Sequence, residues 1–435
     1  MRPKFSLPLL LVSLLLFPTS LQAQNTLEAL AQQAVSGHKK KSALAVSQLR
    51  KLGPAGLEAM FATHAGEINK HIAEPLTPIT SEWARLSAAV DAVAQQKNAY
   101  LSRIYWYTDL DDAKAAAKES GKPILSLRLL GNLSDEFSCA NSRFFRTILY
   151  SNAAISKKLR EGFVLHWKSV RPVPRVTIDF GDGRKLERTL TGNSIHYILD
   201  VNGRPIEALP GLYGPNAFLR ALLTSERVFA KLRDAKYPNP GTALLTYRNK
   251  RINQLGLNWL ADIEKSGGKA PTELSVARRP DGTVEAIQIG QLAMVKMLTE
   301  ATILSSINTG LESLERVTDE ATWRKIAARH MSDAQLDARS IGLIQRETRK
   351  VLGKEELKNL LARLQQNVAL DTVRNEYLMR IKLYAWMLRD RGRSGLDSFN
   401  DKVYSELFLT PASDPWLGLF AADTYMALED SGIVR

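Results

Sequence analysis

The only cysteine of the chain, Cys139, heads the run Cys139-Ala140-Asn141-Ser142-Arg143, three residues before a serine. That spacing carries chemistry if the run opens a helix. A thiol there faces unpaired backbone N–H groups and the positive end of the helix dipole, and both favour the thiolate. Ser142, one turn on, is within reach to donate to the sulfur. Arg143 and Arg146 add positive charge, and Asp135 and Glu136 oppose it. A single cysteine excludes a disulfide within the chain. The other reading of the same residues is packing, with Cys139 a small apolar side chain under Phe144 or Phe145.

Other candidates carry less. His166 and His196 lie in apolar runs without a second ligand at metal spacing, which predicts packed core histidines. Arg171-Pro172-Val173-Pro174-Arg175 is a stiff connection whose arginines are expected to pair with Asp179 or Glu187. Gly181-Asp182-Gly183 lacks the further acids of a calcium loop. No phosphate loop, dinucleotide fingerprint or serine-nucleophile motif occurs in a strand–turn–helix setting, so no cofactor and no metal is expected.

The elements that must position Cys139 read as alternating strand and helix over residues 99–227, an α/β class. An alanine-rich helix over 111–119 stops at Gly121, and a compact apolar strand follows over 124–129. A helix after Cys139, interrupted near Tyr150-Ser151-Asn152, leads to a second buried strand over 163–167. Asp182-Gly183 and Asn202-Gly203 each mark a hairpin, the second joining strands 195–199 and 205–209. The first two sheet strands are expected to run parallel, because a helical crossover joins them, and the last two antiparallel. Residues 24–98 and 228–435 read as helical, with apolar residues at i, i+3 and i+4, including 287–307, and with a loop at 278–282.

This order of elements, with Gly121-Lys122-Pro123-Ile124-Leu125, Cys139-Ala140-Asn141-Ser142 and Tyr197-Ile198-Leu199-Asp200-Val201-Asn202-Gly203, resembles the thioredoxin-like fold. It resembles in particular the spermatogenesis-associated thioredoxin-like type and covers a little over a quarter of the chain. With serine in place of the second cysteine, it implies at most monothiol chemistry: attack, mixed disulfide, and release by an outside thiol. The resemblance implies that Cys139 matches the first cysteine of a C-x-x-C pair and Ser142 the second. It also implies that Gly192-Asn193-Ser194 lies across from Cys139, with Ser194 where the family has a cis-proline. A shallow polar groove is then expected, lined by Cys139, Ser142, Asn193 and Ser194, with Arg143 beside it to hold substrate. Two departures, serine for the second cysteine and serine for the proline, speak against ordinary disulfide exchange.

Composition bounds the rest. The chain has 435 residues, 45% hydrophobic and 24% charged, enough apolar content for two or three cored domains. Residues 1–23 combine Arg2 and Lys4, a short apolar run and Leu21-Gln22-Ala23, the pattern of a secretory signal peptide cut after Ala23. That apolar run falls short of the roughly 20 residues a spanning helix needs. A periplasmic or secreted protein without a transmembrane segment is expected. The formal net charge of +14 is interspersed with acids, and its densest run, Lys39-Lys40-Lys41, reads as a solvated helix start, so nucleic acid is not an expected partner. Two functions remain open: a monothiol oxidoreductase or isomerase of the cell envelope acting on protein thiols, and a non-catalytic thioredoxin-fold module that binds or scaffolds an envelope protein.

Overall fold

Apolar periodicity and turn residues build two compact units in the computed structural model, one running to Ala94 and one starting at Gln95. The structure describes residues 19–189, 192–234, 239–269, 271, 312–348 and 352–413. Most of the signal segment lies outside these residues, as do the helix expected at 287–307 and the loop expected at 278–282. The described part of the leader is helical: Thr19–Ala34 runs through the expected cut after Ala23. No described helix is long and apolar enough to cross a membrane.

The first unit is a set of short helices, Thr19–Ala34, Lys39–Lys51, Pro54–Thr63, Ala65–Ala73 and Ser81–Ala94. Lys39-Lys40-Lys41 does form a helix start. Gly53, at φ 66°, turns the chain so that Pro54 opens the next helix. Gly56 is required by contact rather than conformation. A Cβ there would lie 1.9 Å from the Leu49 carbonyl oxygen, so only glycine lets the two helices approach this closely.

The second unit holds a four-stranded mixed sheet: β1 (Ile124–Leu130), β2 (Val164–Arg171), β5 (Ser194–Leu199) and β6 (Pro205–Pro210). Its order is β2-β1-β5-β6. β1 pairs parallel with β2, and β5 runs antiparallel to both β1 and β6, as the crossover and the Asn202-Gly203 turn require. Gly203 supplies that turn with φ 87°. β3 (Arg175–Asp179) and β4 (Lys185–Thr189) form a separate two-stranded ribbon through the Asp182-Gly183 turn. Every residue of β1 is buried, which is why its run is nearly all apolar.

Helices follow the sheet without a break in the core. Leu127, Tyr197 and Leu209 of the sheet share one apolar cluster with Trp259, Trp323, Ile381 and Tyr404. The division expected between residues 227 and 228 falls inside helix Pro215–Arg233, within this single unit. The last described segment, helix Leu396–Lys402 and its continuation to Leu407, straps back over the sheet. Asp397 accepts from Arg128 at 3.1 Å and from Lys168 at 2.8 Å, and the Tyr197 hydroxyl donates to Asn400 at 3.3 Å.

Candidate functional site

Cys139 caps the short helix Ala140–Phe144, which continues with wider i→i+5 hydrogen bonding over Phe145–Leu149. Its sulfur accepts from the Ser142 backbone N–H at 3.4 Å. The expected donor was the Ser142 hydroxyl, yet that oxygen is buried without a partner. The arginines act on backbone and hydroxyl oxygens rather than on the sulfur. Arg143 donates to the Ser138 carbonyl at 2.8 Å and to the Thr189 hydroxyl at 2.7 Å; Arg146 donates to the carbonyls of Asp135 and Glu136. They pin the loop before Cys139 onto the helix that follows it.

The turn Gly192-Asn193-Ser194 does meet the start of this helix. Asn141 Nδ2 donates to Ser194 Oγ at 2.8 Å, and a Cβ on Gly192 would sit 3.1 Å from the Asn141 nitrogen. The structure therefore brings Cys139, Ser142 and Ser194 into one neighbourhood. It does not open them to solvent: all three are 0% exposed, so the expected polar groove is absent. A segment from further along the chain, the strap of residues 396–411, holds the turn beside them. The Tyr404 hydroxyl donates to the Asn193 carbonyl at 3.1 Å, and Asn193 Nδ2 donates to Thr410 Oγ1 at 3.1 Å. Arg171 holds the same strap by donating to the carbonyls of Thr410 and Pro411, and Arg175 reaches Asp135 at 3.4 Å. The pairings expected for these arginines, with Asp179 or Glu187, give way because the ribbon β3–β4 turns its acids to solvent.

Electrostatics follow burial. Desolvation raises the Cys139 thiol above its ordinary pKa, and the amide donors and Arg143 only partly offset that. The two strand histidines are packed, as expected. His166 Nδ1 lies 2.9 Å from Ser126 Oγ, and the Tyr150 hydroxyl lies 2.7 Å from His196 Nε2. Burial pushes both imidazoles down to about 3.

A second polar constellation escapes the sequence reading. Glu207, 0% exposed on β6, accepts from the Tyr247 hydroxyl at 2.6 Å, the Tyr384 hydroxyl at 2.7 Å and Arg380 at 3.0 Å. Burial works to raise its pKa, but Arg380 and the two hydroxyls outweigh burial and hold it below the usual value. Arg380 also chelates Glu376 through two 2.7 Å contacts. Nearby, the Tyr377 hydroxyl donates to Asp262 at 2.6 Å, and His330 lies 2.7 Å from the same carboxylate. Hydrogen bonds to Asp262 and Asp333 lift His330 to about 9. One signal for this cluster is in the sequence: Glu376, Arg380 and Tyr384 recur every fourth residue, on one helix face. Comparison of the chain with protein-family models, with curated proteins and with solved structures finds no match.

Proposed function

We propose that this chain is an exported, non-catalytic thioredoxin-like module of the cell envelope, with a binding or scaffolding role and with Cys139 kept as a packing residue. The observation that carries this reading is the wholly buried sulfur of Cys139 with its raised pKa. A nucleophilic thiol needs access and a depressed pKa, and this one has neither. The thioredoxin-like part of the reading is supported by the parallel β1–β2 pair joined through the Cys139 helix and by the antiparallel β5–β6 hairpin after it. It is also supported by the seating of Gly192-Asn193-Ser194 against the helix start. The export part rests on the basic and apolar pattern of residues 1–23.

Thiol labelling tests the reading. Native protein treated with iodoacetamide at pH 8 is expected to react at least about a hundredfold more slowly than urea-unfolded protein, because labelling must wait for opening. Cys139→Ala should leave binding to any envelope partner intact and cost on the order of 1 kcal/mol in stability. Native labelling as fast as unfolded, with a midpoint below pH 8, would return the monothiol oxidoreductase to first place.

A further inference from the structure

The helices Pro215–Arg233 and Pro240–Lys265 are separated by two adjoining clefts, of ≈ 710 and ≈ 290 Å³, that share Thr224 and Arg251. The larger has an apolar floor that includes Val228, Leu232 and Tyr247. Its cations are Arg227, Lys231, Lys250 and Arg251, and no acidic residue lines it among the described residues. The smaller cleft mixes apolar residues such as Ala217, Leu255 and Val373 with charges that are balanced in pairs. Arg220 grips Asp333 through two contacts of 2.7 and 2.8 Å, His330 rests on Asp262, and Arg380 is matched by Glu207 and Glu376. Among the described residues, Arg251 alone of these cations makes no direct ion pair; Glu376 and Glu207 act on it from longer range. It stands beside Tyr384 and the already neutralised Arg380, and its buried Nε has no acceptor.

We propose that this trench is a binding site for a small amphipathic anion, an apolar body carrying one carboxylate, sulfonate or phosphate group. Arg251 receives the anionic group at the junction of the two clefts. The apolar body lies along Val228, Leu232 and Tyr247. A guanidinium with no direct ion pair and a buried unsatisfied N–H is costly, and an anion in the cleft supplies the close charge it lacks. The planar fork of the guanidinium suits a two-oxygen group. Exposed Lys231 and Lys250 at the rim steer the anion without touching it closely. None of this depends on how Cys139 is read.

Two probes of nearly the same apolar shape decide it. 8-Anilinonaphthalene-1-sulfonate carries the anion, and N-phenyl-1-naphthylamine does not. Fluorescence titration of the full chain is expected to show saturable binding, with the sulfonate at least about tenfold tighter. Arg251→Gln should erase that preference and leave the neutral probe unchanged, and Arg251→Lys should restore part of it. Lys231→Gln with Lys250→Gln, both on the surface, should weaken the sulfonate about threefold and flatten its salt dependence. Circular dichroism verifies the fold of each variant, and if Arg251→Gln does not fold, the rim variants decide. Equal binding of the two probes to the wild type, no saturable binding, or an unchanged preference in folded Arg251→Gln overturns the site.

Discussion

Acidification from pH 7 to pH 5 is expected to remove roughly 4 kcal/mol of folding free energy through two side chains, His166 and His196. Each is held neutral in the interior, with its pKa lowered from 6.5 to about 3. The unfolded chain takes up those protons near 6.5 and the folded chain does not. Stability from these groups is therefore complete above 6.5 and falls as the pH drops from 6.5 towards 3, where the folded groups also charge. Down to about pH 4 the slope approaches two protons, or roughly 2.7 kcal/mol per pH unit. His330 acts in the opposite sense. Raised to about 9 by hydrogen bonds to Asp262 and Asp333, it stabilises fully below 6.5 and loses that contribution as the pH rises through 9. Over the same step to pH 5 it returns on the order of 1 kcal/mol. Against a total of about 5–15 kcal/mol the net loss is large. Urea midpoints at pH 7, 6 and 5 measure it, and His196→Gln should lower the slope by about one proton. A stability that does not change between pH 7 and 5 rules the account out.

Arg380→Met is expected to cost about 3–5 kcal/mol, because it leaves the carboxylate of Glu207 in the core without its cation. Glu207 and Arg380 are 0% and 1% exposed, so water replaces neither partner. Tyr247 and Tyr384 keep donating to Glu207, which limits the damage to that range and keeps the variant measurable. Adding Glu207→Gln removes the orphaned charge while preserving an acceptor for the tyrosines. The double variant should therefore be more stable than Arg380→Met alone, and that reversal is the signature of a buried pair. Equilibrium unfolding of both variants and of Glu207→Gln closes the cycle. Simple additivity of the two substitutions would show that the pair is not coupled.

Local features of the fold are legible from the residues. Asn202-Gly203 and Asp182-Gly183 specify their hairpins because few residues tolerate the positive φ those turns need, and Gly203 and Gly183 have it. The strand β1 is legible because five of its seven residues are apolar, as burial on both faces favours. The parallel partner β2 follows, since the helical segment from Ala140 to Gly162 is long enough to cross over. What escapes is whatever depends on distant segments meeting. Tyr384 and Glu207 are 177 positions apart, and Tyr404 and Asn193 are 211 apart. The site is half legible for this reason. The spacing around Cys139 predicts its place at a helix start, and the 192–194 turn across from it is implied only by the resemblance; the burial that decides its chemistry depends on packing that no local spacing shows. A helix N-terminus lowers a thiol's pKa by proximity, and burial raises it by more.

That strap has a consequence for the order in which the protein is made. A ribosome delivers Cys139 long before it delivers residues 396–411, and translocation from the N-terminus would preserve the same sequence of arrival. Until that segment emerges, Asn193 lacks Tyr404 and Thr410, and Arg171 lacks the carbonyls of Thr410 and Pro411. A nascent chain therefore holds the 192–194 turn, which meets the Cys139 helix through Asn141, with fewer ties than the finished protein does. A chain ending before Leu396 would remain in that immature condition permanently. Tyr404 is thus a late fastening on a turn translated 211 positions earlier.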